Sequence, residues 1–152
     1  RLGADYALDP LSPDFPETVK KITGGGAHTG IEVTGVGAGL NEALDAMRRF
    51  GRIALLGCTR NSEFTVDYYH KVHIPGITLV GAHTNARPSE SYAGNWTCAD
   101  DMTALMRLSE GGRIALQSMV EEVHSPDEAP AVYRRLAEDG SFPIVLFDWR
   151  NG

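Results

Sequence analysis

The chain has 152 residues, 42% of them hydrophobic and 22% charged, with a formal net charge of −6. These values are typical of one globular domain with its own core, and the acidic balance argues against nucleic acid or an anionic membrane as a partner. No apolar run approaches the roughly 20 residues of a membrane span, and two distant cysteines without a CxxC motif indicate a reducing, cytoplasmic location.

The first part of the chain predicts a short strand followed by a helix. Residues 6–8 are interpreted as the strand, and residues 12–17 place prolines and acidic side chains in the first turn of the helix. The helix is expected to end at three consecutive glycines, residues 24–26.

The central stretch, residues 31–57, predicts one βαβ unit of a parallel sheet. An apolar run stops in glycines, and apolar side chains then recur at helical spacing up to Met47, with Gly51 expected to end the helix. A second, nearly unbroken apolar run follows, as in a strand buried on both faces. Because parallel sheets bind ligands at the carboxyl ends of their strands, we expect a site near Thr34 and Gly57.

The remaining pattern continues the alternation of strands and helices. Residues 77–81 are β-rich, helices are predicted after Asp100 and after the N-cap Ser125, and residues 144–147 form a last strand. This alternation predicts an α/β protein with a mostly parallel sheet.

The glycines at positions 35, 37 and 39 look like a dinucleotide fingerprint, but their spacing differs from it. That motif is Gly-x-Gly-x-x-Gly or Ala, and its third small residue would fall on Leu40 or Glu42. We therefore interpret these glycines as a tight turn between strand and helix rather than as a phosphate cradle.

An alternative interpretation is the glycine-rich motif of S-adenosylmethionine-dependent methyltransferases. That motif has an acidic residue two positions before its first glycine, where this chain has Val33, and Glu32 lies one residue too early. A shift of one residue turns a strand side chain to the opposite face. A third possibility, outside the enzymes, is a cofactor-free interaction module that keeps only the sheet.

Two histidines, His70 and His73, are spaced so that they can meet on one face of a helix and bind a metal. No third ligand lies nearby in the sequence, and Pro75 interrupts the segment. We therefore predict no metal site in this chain, and we assign no catalytic residue to it.

In the order of its landmarks, the chain resembles the carboxyl-terminal half of the medium-chain dehydrogenase/reductase family, the zinc-type alcohol and polyol dehydrogenases. The landmarks are the segments at residues 2–5, 22–25, 31–35, 49–57, 77–81 and 125–147. The resemblance implies a partial Rossmann-type parallel sheet with helices on both faces over residues 1–84. It implies that residues 85–152 pack with the catalytic domain of the parent enzyme.

The resemblance also implies a parent enzyme that moves a hydride between NAD or NADP and a small alcohol or polyol, with zinc polarising the alcohol oxygen. The zinc ligands and the true glycine fingerprint would lie upstream of Arg1. We therefore expect this chain to be a fragment that has no dehydrogenase turnover and binds the cofactor weakly.

The resemblance assigns three strand-end segments to the cofactor cleft, on the adenosine side, beside the nicotinamide, and on the nicotinamide amide. They are, in that order, Val33, Thr34 and Gly35; Leu56, Gly57 and Cys58; and Ala82, His83 and Thr84. The β-rich run is expected to form a homodimer by pairing edge to edge. That pairing would use Ile77, Thr78, Leu79 and Val80.

Overall fold

The computed structural model describes residues 4–58, 63–140 and 142–151. These residues form two compact units, one covering Tyr6–Thr97 and the other covering the chain from Cys98 onward together with Ala4 and Asp5. In chain order the elements are α1 (Phe15–Thr23), β1 (Ala27–Glu32), α2 (Gly37–Asp45), β2 (Met47–Leu55), β3 (Thr78–Gly81), α3 (Cys98–Glu110), β4 (Glu122–His124), α4 (Ala129–Asp139) and β5 (Val145–Phe147). Helices and parallel strands in both units confirm the predicted α/β class.

Helix α1 forms close to where the sequence predicts it. Its first turn contains Pro16 and the acidic Glu17, and it ends at Gly24, which takes the left-handed conformation with φ of 68°. The strand predicted at residues 6–8 is wrong, because these residues pair with no strand among the described residues. Tyr6 is 64% exposed, so the segment lacks the burial that would hold it in a sheet.

The first unit is built on a parallel sheet in the order β1–β2–β3. Gly30, Ile53 and Leu79 lie side by side in its register, and Ile53 is fully buried. Ile53 packs in a core cluster with Leu44 of α2 and Ile77. Burial of these side chains holds α2 against the sheet.

Helix α2 is shorter than predicted, and strand β2 starts earlier. The helix ends at Asp45, and β2 begins at Met47, which pairs with Ala27. Met47 is only 8% exposed and belongs to the core cluster, as its apolar character predicts. It reaches the core from strand β2 and not from the predicted helix. Gly51 therefore lies inside β2, and the prediction that it ends the helix is wrong.

Strand β2 contains a bulge at its amino-terminal end. Ala27 pairs with Met47, but Thr29 already pairs with Arg52, so β2 carries extra residues between these two pairs. Phe50 lies in the bulge with φ of 62°, and its amide donates to the Pro75 carbonyl at 2.8 Å. The regular part of β2 is thus the stretch that leads to its carboxyl end.

The second unit contains the parallel pair β4–β5 and helices α3 and α4. A capping box precedes α4, in which the Ser125 backbone N–H donates to the Glu128 carboxylate at 2.8 Å. Gly140 ends α4 with φ of 61°, as the sequence predicts. Among the described residues, no helix combines the length and the apolar character needed to cross a membrane.

Candidate functional site

Three loops leave the sheet of the first unit at the same edge. Glu32, Leu55 and Gly81 end their strands side by side in the register of β1, β2 and β3. Because the strands are parallel, the segments that follow them all emerge at the carboxyl edge of the sheet. We call this place the strand-end edge; it consists of residues 33–35, 56–58 and 82–84. The structure therefore brings together the nine residues that the family resemblance assigns to a cofactor cleft.

The ends of β1 and β2 are joined by backbone hydrogen bonds. The Glu32 carbonyl oxygen accepts from the Leu56 amide at 2.9 Å and from the Gly57 amide at 2.8 Å. Gly57 also lies directly against the first segment, where an added Cβ would be 2.7 Å from the Val33 carbonyl carbon and would overlap the backbone of Gly35. This close approach requires glycine at position 57.

The ends of β2 and β3 are joined in a similar way. The Ala82 amide donates to the Leu55 carbonyl oxygen at 3.1 Å. The His83 ring turns back onto its own loop, where its Nδ1 accepts from the Asn85 amide at 3.1 Å. His83 therefore caps the short 3₁₀ turn Thr84–Ala86, and only its second ring nitrogen is left for other contacts.

The carboxylate of Glu32 organises the first segment. Its Oε1 accepts from the Thr34 amide at 2.7 Å, from the Thr34 hydroxyl and from the Gly35 amide at 3.1 Å. Glu32 is only 8% exposed, and a buried carboxylate requires such partners. From the sequence, Glu32 was one residue of a family landmark and counted against a methyltransferase motif, with no role of its own at the site. An acidic residue within an apolar run, two positions before a threonine, was the available signal.

Of the glycines at positions 35, 37 and 39, which were predicted to form a tight turn between strand and helix, Gly35 lies in the turn, while Gly37 and Gly39 belong to the first turn of α2. Gly35 has φ of 67°. A Cβ on Gly37 would lie 2.5 Å from the Phe64 ring, and a Cβ on Gly39 would overlap the hydroxyl oxygen of Thr34. The space next to these two glycines is thus occupied by the side chains of Phe64 and Thr34.

A small cavity adjoins the first segment of the strand-end edge. Its volume is about 150 Å³, which is enough for one small aromatic ring. Its lining is mainly apolar and includes Pro10, Phe15, Ile31, Val33, Thr34 and Gly39. Val33 is 62% exposed and Leu56 is 50% exposed, so the edge also presents apolar side chains to a ligand.

The two histidines considered as metal ligands make other contacts. The His70 Nδ1 lies 2.8 Å from the Asp67 carboxylate, and the His73 ring stacks on Tyr69 with centroids 5.8 Å apart. Among the described residues, no group of three or more His, Cys, Asp or Glu side chains is placed to hold a metal ion. The described part of the chain therefore does not fit a zinc centre.

Comparisons with known proteins match most of the chain. The family model described as zinc-binding dehydrogenase matches residues 1–100. The L-threonine 3-dehydrogenase of Pyrococcus horikoshii is 30% identical over 82 residues, which are 53% of this chain and 23% of that protein. The sorbitol dehydrogenase of Halalkalibacterium halodurans is 24% identical over 146 residues, which are 95% of this chain and 39% of that protein.

A solved structure shares the fold at lower identity. The benzyl alcohol dehydrogenase of Acinetobacter calcoaceticus is similar with a TM-score of 0.73 and 19% identity, covering 96% of this chain and 38% of the other. The chain thus spans well under half the length of the proteins it matches, and these proteins are dehydrogenases.

Proposed function

The chain belongs to the zinc-binding dehydrogenase family, and on that premise we propose that it is the carboxyl-terminal part of an NAD(P)-dependent alcohol or polyol dehydrogenase. In the parent enzyme this part forms the nicotinamide-side wall of the cofactor cleft. The observation that carries the proposal is the strand-end edge, where three loops meet beside an apolar cavity. The names of the dehydrogenase relatives support the substrate class.

In this proposal the residues of the strand-end edge contact the dinucleotide. Val33, Thr34 and Gly35, with the adjoining cavity, would hold the adenosine side. Leu56, Gly57 and Cys58 would lie beside the nicotinamide, and Ala82, His83 and Thr84 would contact its amide. The bound cofactor supplies or accepts a hydride, and the chain contributes backbone groups and apolar contacts that orient it.

Zinc chemistry belongs to the rest of the parent enzyme in this proposal. The described residues offer no ligand set for the metal, so no step of the reaction is assigned to zinc in this chain. We place the boundary of the dinucleotide-binding part after Thr84, with residues 85–152 packing with the parent's catalytic domain. The two free, exposed cysteines, Cys58 and Cys98, support a cytoplasmic location.

The parent is proposed to be a homodimer that pairs through Thr78, Leu79 and Val80 of β3. Ile77, which was also expected at this interface, is instead buried in the core at 8% exposed. Strand β3 lies at an edge of its sheet, and all four of its residues are exposed. An edge strand with free backbone groups pairs readily with a second copy.

The Ala82 amide donates to Leu55 of β2, so by strand alternation the Leu79 amide faces away from β2. Leu79→Pro removes this N–H donor from the free edge, so we expect light scattering to show a dimer for the unmodified chain and a monomer for this variant. A monomeric unmodified chain would contradict this part of the proposal.

The isolated chain should bind NADH weakly and should show no turnover. Each backbone contact contributes about 1 kcal/mol, and immobilising the ligand costs several kcal/mol or more. The dissociation constant is therefore expected to be millimolar or weaker, corresponding to about −4 kcal/mol at best.

The test is a titration of the ¹⁵N-labelled chain with NADH, followed by amide chemical shifts. We expect shifts confined to the strand-end edge. Micromolar binding, or shifts centred on other residues, would overturn the placement of the cofactor. Tighter binding of S-adenosylmethionine at the same amides would replace the dehydrogenase assignment, and no response to either ligand would favour an interaction module.

A further inference from the structure

Glu32 is a charged residue buried at the point where the first two loops of the strand-end edge begin. Glu32 is 8% exposed, and no other polar or charged residue in the described part of the chain is buried. A buried carboxylate is retained only when hydrogen bonds replace its water. Glu32 receives these bonds from the loop that it precedes.

The side chain of Glu32 determines the course of the loop after β1. Two successive amides, those of Thr34 and Gly35, point at Oε1, and Oε2 lies 3.3 Å from the Gly35 amide as well. The Thr34 hydroxyl donates to the same carboxylate and accepts from the Val36 amide at 3.2 Å. The loop is thus wrapped around one carboxylate at the start of α2.

The backbone of Glu32 acts on the second loop. Its carbonyl oxygen accepts from both the Leu56 and the Gly57 amide. One residue therefore holds two of the three segments of the edge. A displacement of Glu32 would move the adenosine-side segment and the nicotinamide-side segment together.

We propose that Glu32 is the positioning residue of the strand-end edge and that its carboxylate takes the place of an external anion there. Resting on the proposed function, this means that Glu32 presents the first loop to an uncharged part of the cofactor. The amides of Thr34 and Gly35 are already used, and the negative charge behind them repels a phosphate. The pyrophosphate must then be bound elsewhere in the parent enzyme.

The experiment compares Glu32→Gln with Glu17→Gln in the ¹⁵N-labelled full chain. Glu17 lies on α1 of the same unit, pairs with Lys20 at 2.9 Å and is not one of the residues that line the cavity, so it controls for the loss of one negative charge. We expect Glu32→Gln to move the amide resonances of Thr34 and Gly35 in the free chain. We also expect it to weaken NADH binding about three- to tenfold, as for loss of one or two hydrogen bonds. Glu17→Gln should do neither.

Two outcomes separate this inference from the function on which it rests. If NADH shifts no amide of the strand-end edge in the unmodified chain, the proposed function fails. If the unmodified chain binds and Glu32→Gln binds equally well with unmoved Thr34 and Gly35 resonances, only the positioning role fails. A purely structural role would lower the melting midpoint and leave the affinity of the folded chain unchanged, which also overturns the inference.

A second pair of variants keeps the test decisive if Glu32→Gln does not fold. Thr34→Val removes the hydroxyl that donates to Glu32, and Thr34→Ser retains it. We expect about two- to fivefold weaker NADH binding for the valine variant and recovery of the original affinity in the serine variant. Equal affinity of these two variants would contradict the role of the carboxylate.

Discussion

The sheet of the first unit is held by buried apolar side chains, whereas charged side chains join strand β4 of the second unit to helix α4. Ile53 is fully buried in β2. Glu122 in β4 instead contacts His124 at 2.8 Å and Arg135 of α4. In the described part of the second unit, Val132 is the one hydrophobic residue that is buried. From this difference we expect the stability of the second unit to depend more on ionisation than that of the first.

The largest effect on this comparison should come from emptying the core of the first unit. Ile53→Ala leaves a cavity beneath α2, and we expect the free energy of unfolding of this unit to fall by about 2–5 kcal/mol. Val123→Ala in β4, where the side chain is 60% exposed, should change stability by less than about 0.5 kcal/mol. Urea denaturation measures both. Similar losses in the two variants would contradict the contrast between the units.

The next effect should come from forcing the two loops of the strand-end edge apart. Gly57→Ala places a Cβ against Val33 and Gly35, so we expect a loss of about 1–3 kcal/mol and weaker NADH-induced shifts. Gly81 ends the neighbouring strand β3, and a Cβ added there would have no atom within 4 Å. Gly81→Ala therefore serves as the matched control. If Gly57→Ala retains both stability and the shifts, the close approach does not matter in solution.

A smaller effect is expected at the bulge of β2. Phe50 holds φ of 62° although it is not glycine, and this conformation costs an L-residue about 1–2 kcal/mol. Phe50→Gly should therefore be about 1 kcal/mol more stable than Phe50→Ala, which loses the same ring but keeps the strain. Thermal unfolding of the two variants gives the difference. An equal melting midpoint would show that the bulge relaxes.

The smallest effect concerns pH and the second unit. The hydrogen bond to Glu122 raises the pKa of His124 above its ordinary 6.5, and the bond to His124 lowers the pKa of Glu122 below its ordinary 4.5. The contribution of His124 to the stability of the folded unit is complete below pH 6.5 and is lost as pH rises through the raised pKa of His124. That of Glu122 is complete above pH 4.5 and is lost as pH falls through its lowered pKa.

The second unit should therefore melt at a higher temperature at about pH 5.5 than at about pH 8. His124→Gln cannot be protonated, so this variant should lose the difference. Circular dichroism melts at the two pH values make the comparison. The same decrease in the variant would assign the pH effect to other groups.

Much of the candidate site could be predicted from the sequence, because its position follows from strand order. Parallel strands place their carboxyl ends at one edge, and the pattern of the central βαβ unit marks two of those ends, near Thr34 and Gly57. The third segment, residues 82–84, follows from the family resemblance. The hydrogen bonds that shape the edge could not be predicted in the same way. The role of Glu32 depends on burial and on the amides of Leu56 and Gly57, more than 20 residues away.

By itself the sequence determined the family, the α/β class and the ends of the helices that carry local signals. Gly24 after α1 and the Ser125 capping box before α4 act within one or two turns of chain, so their signals survive without knowledge of the fold. Only the tertiary structure decided where α2 gives way to β2. There, pairing of Met47 with Ala27 and burial of the Met47 side chain outweigh the helical periodicity, because burial against distant residues stabilises more than local preference does.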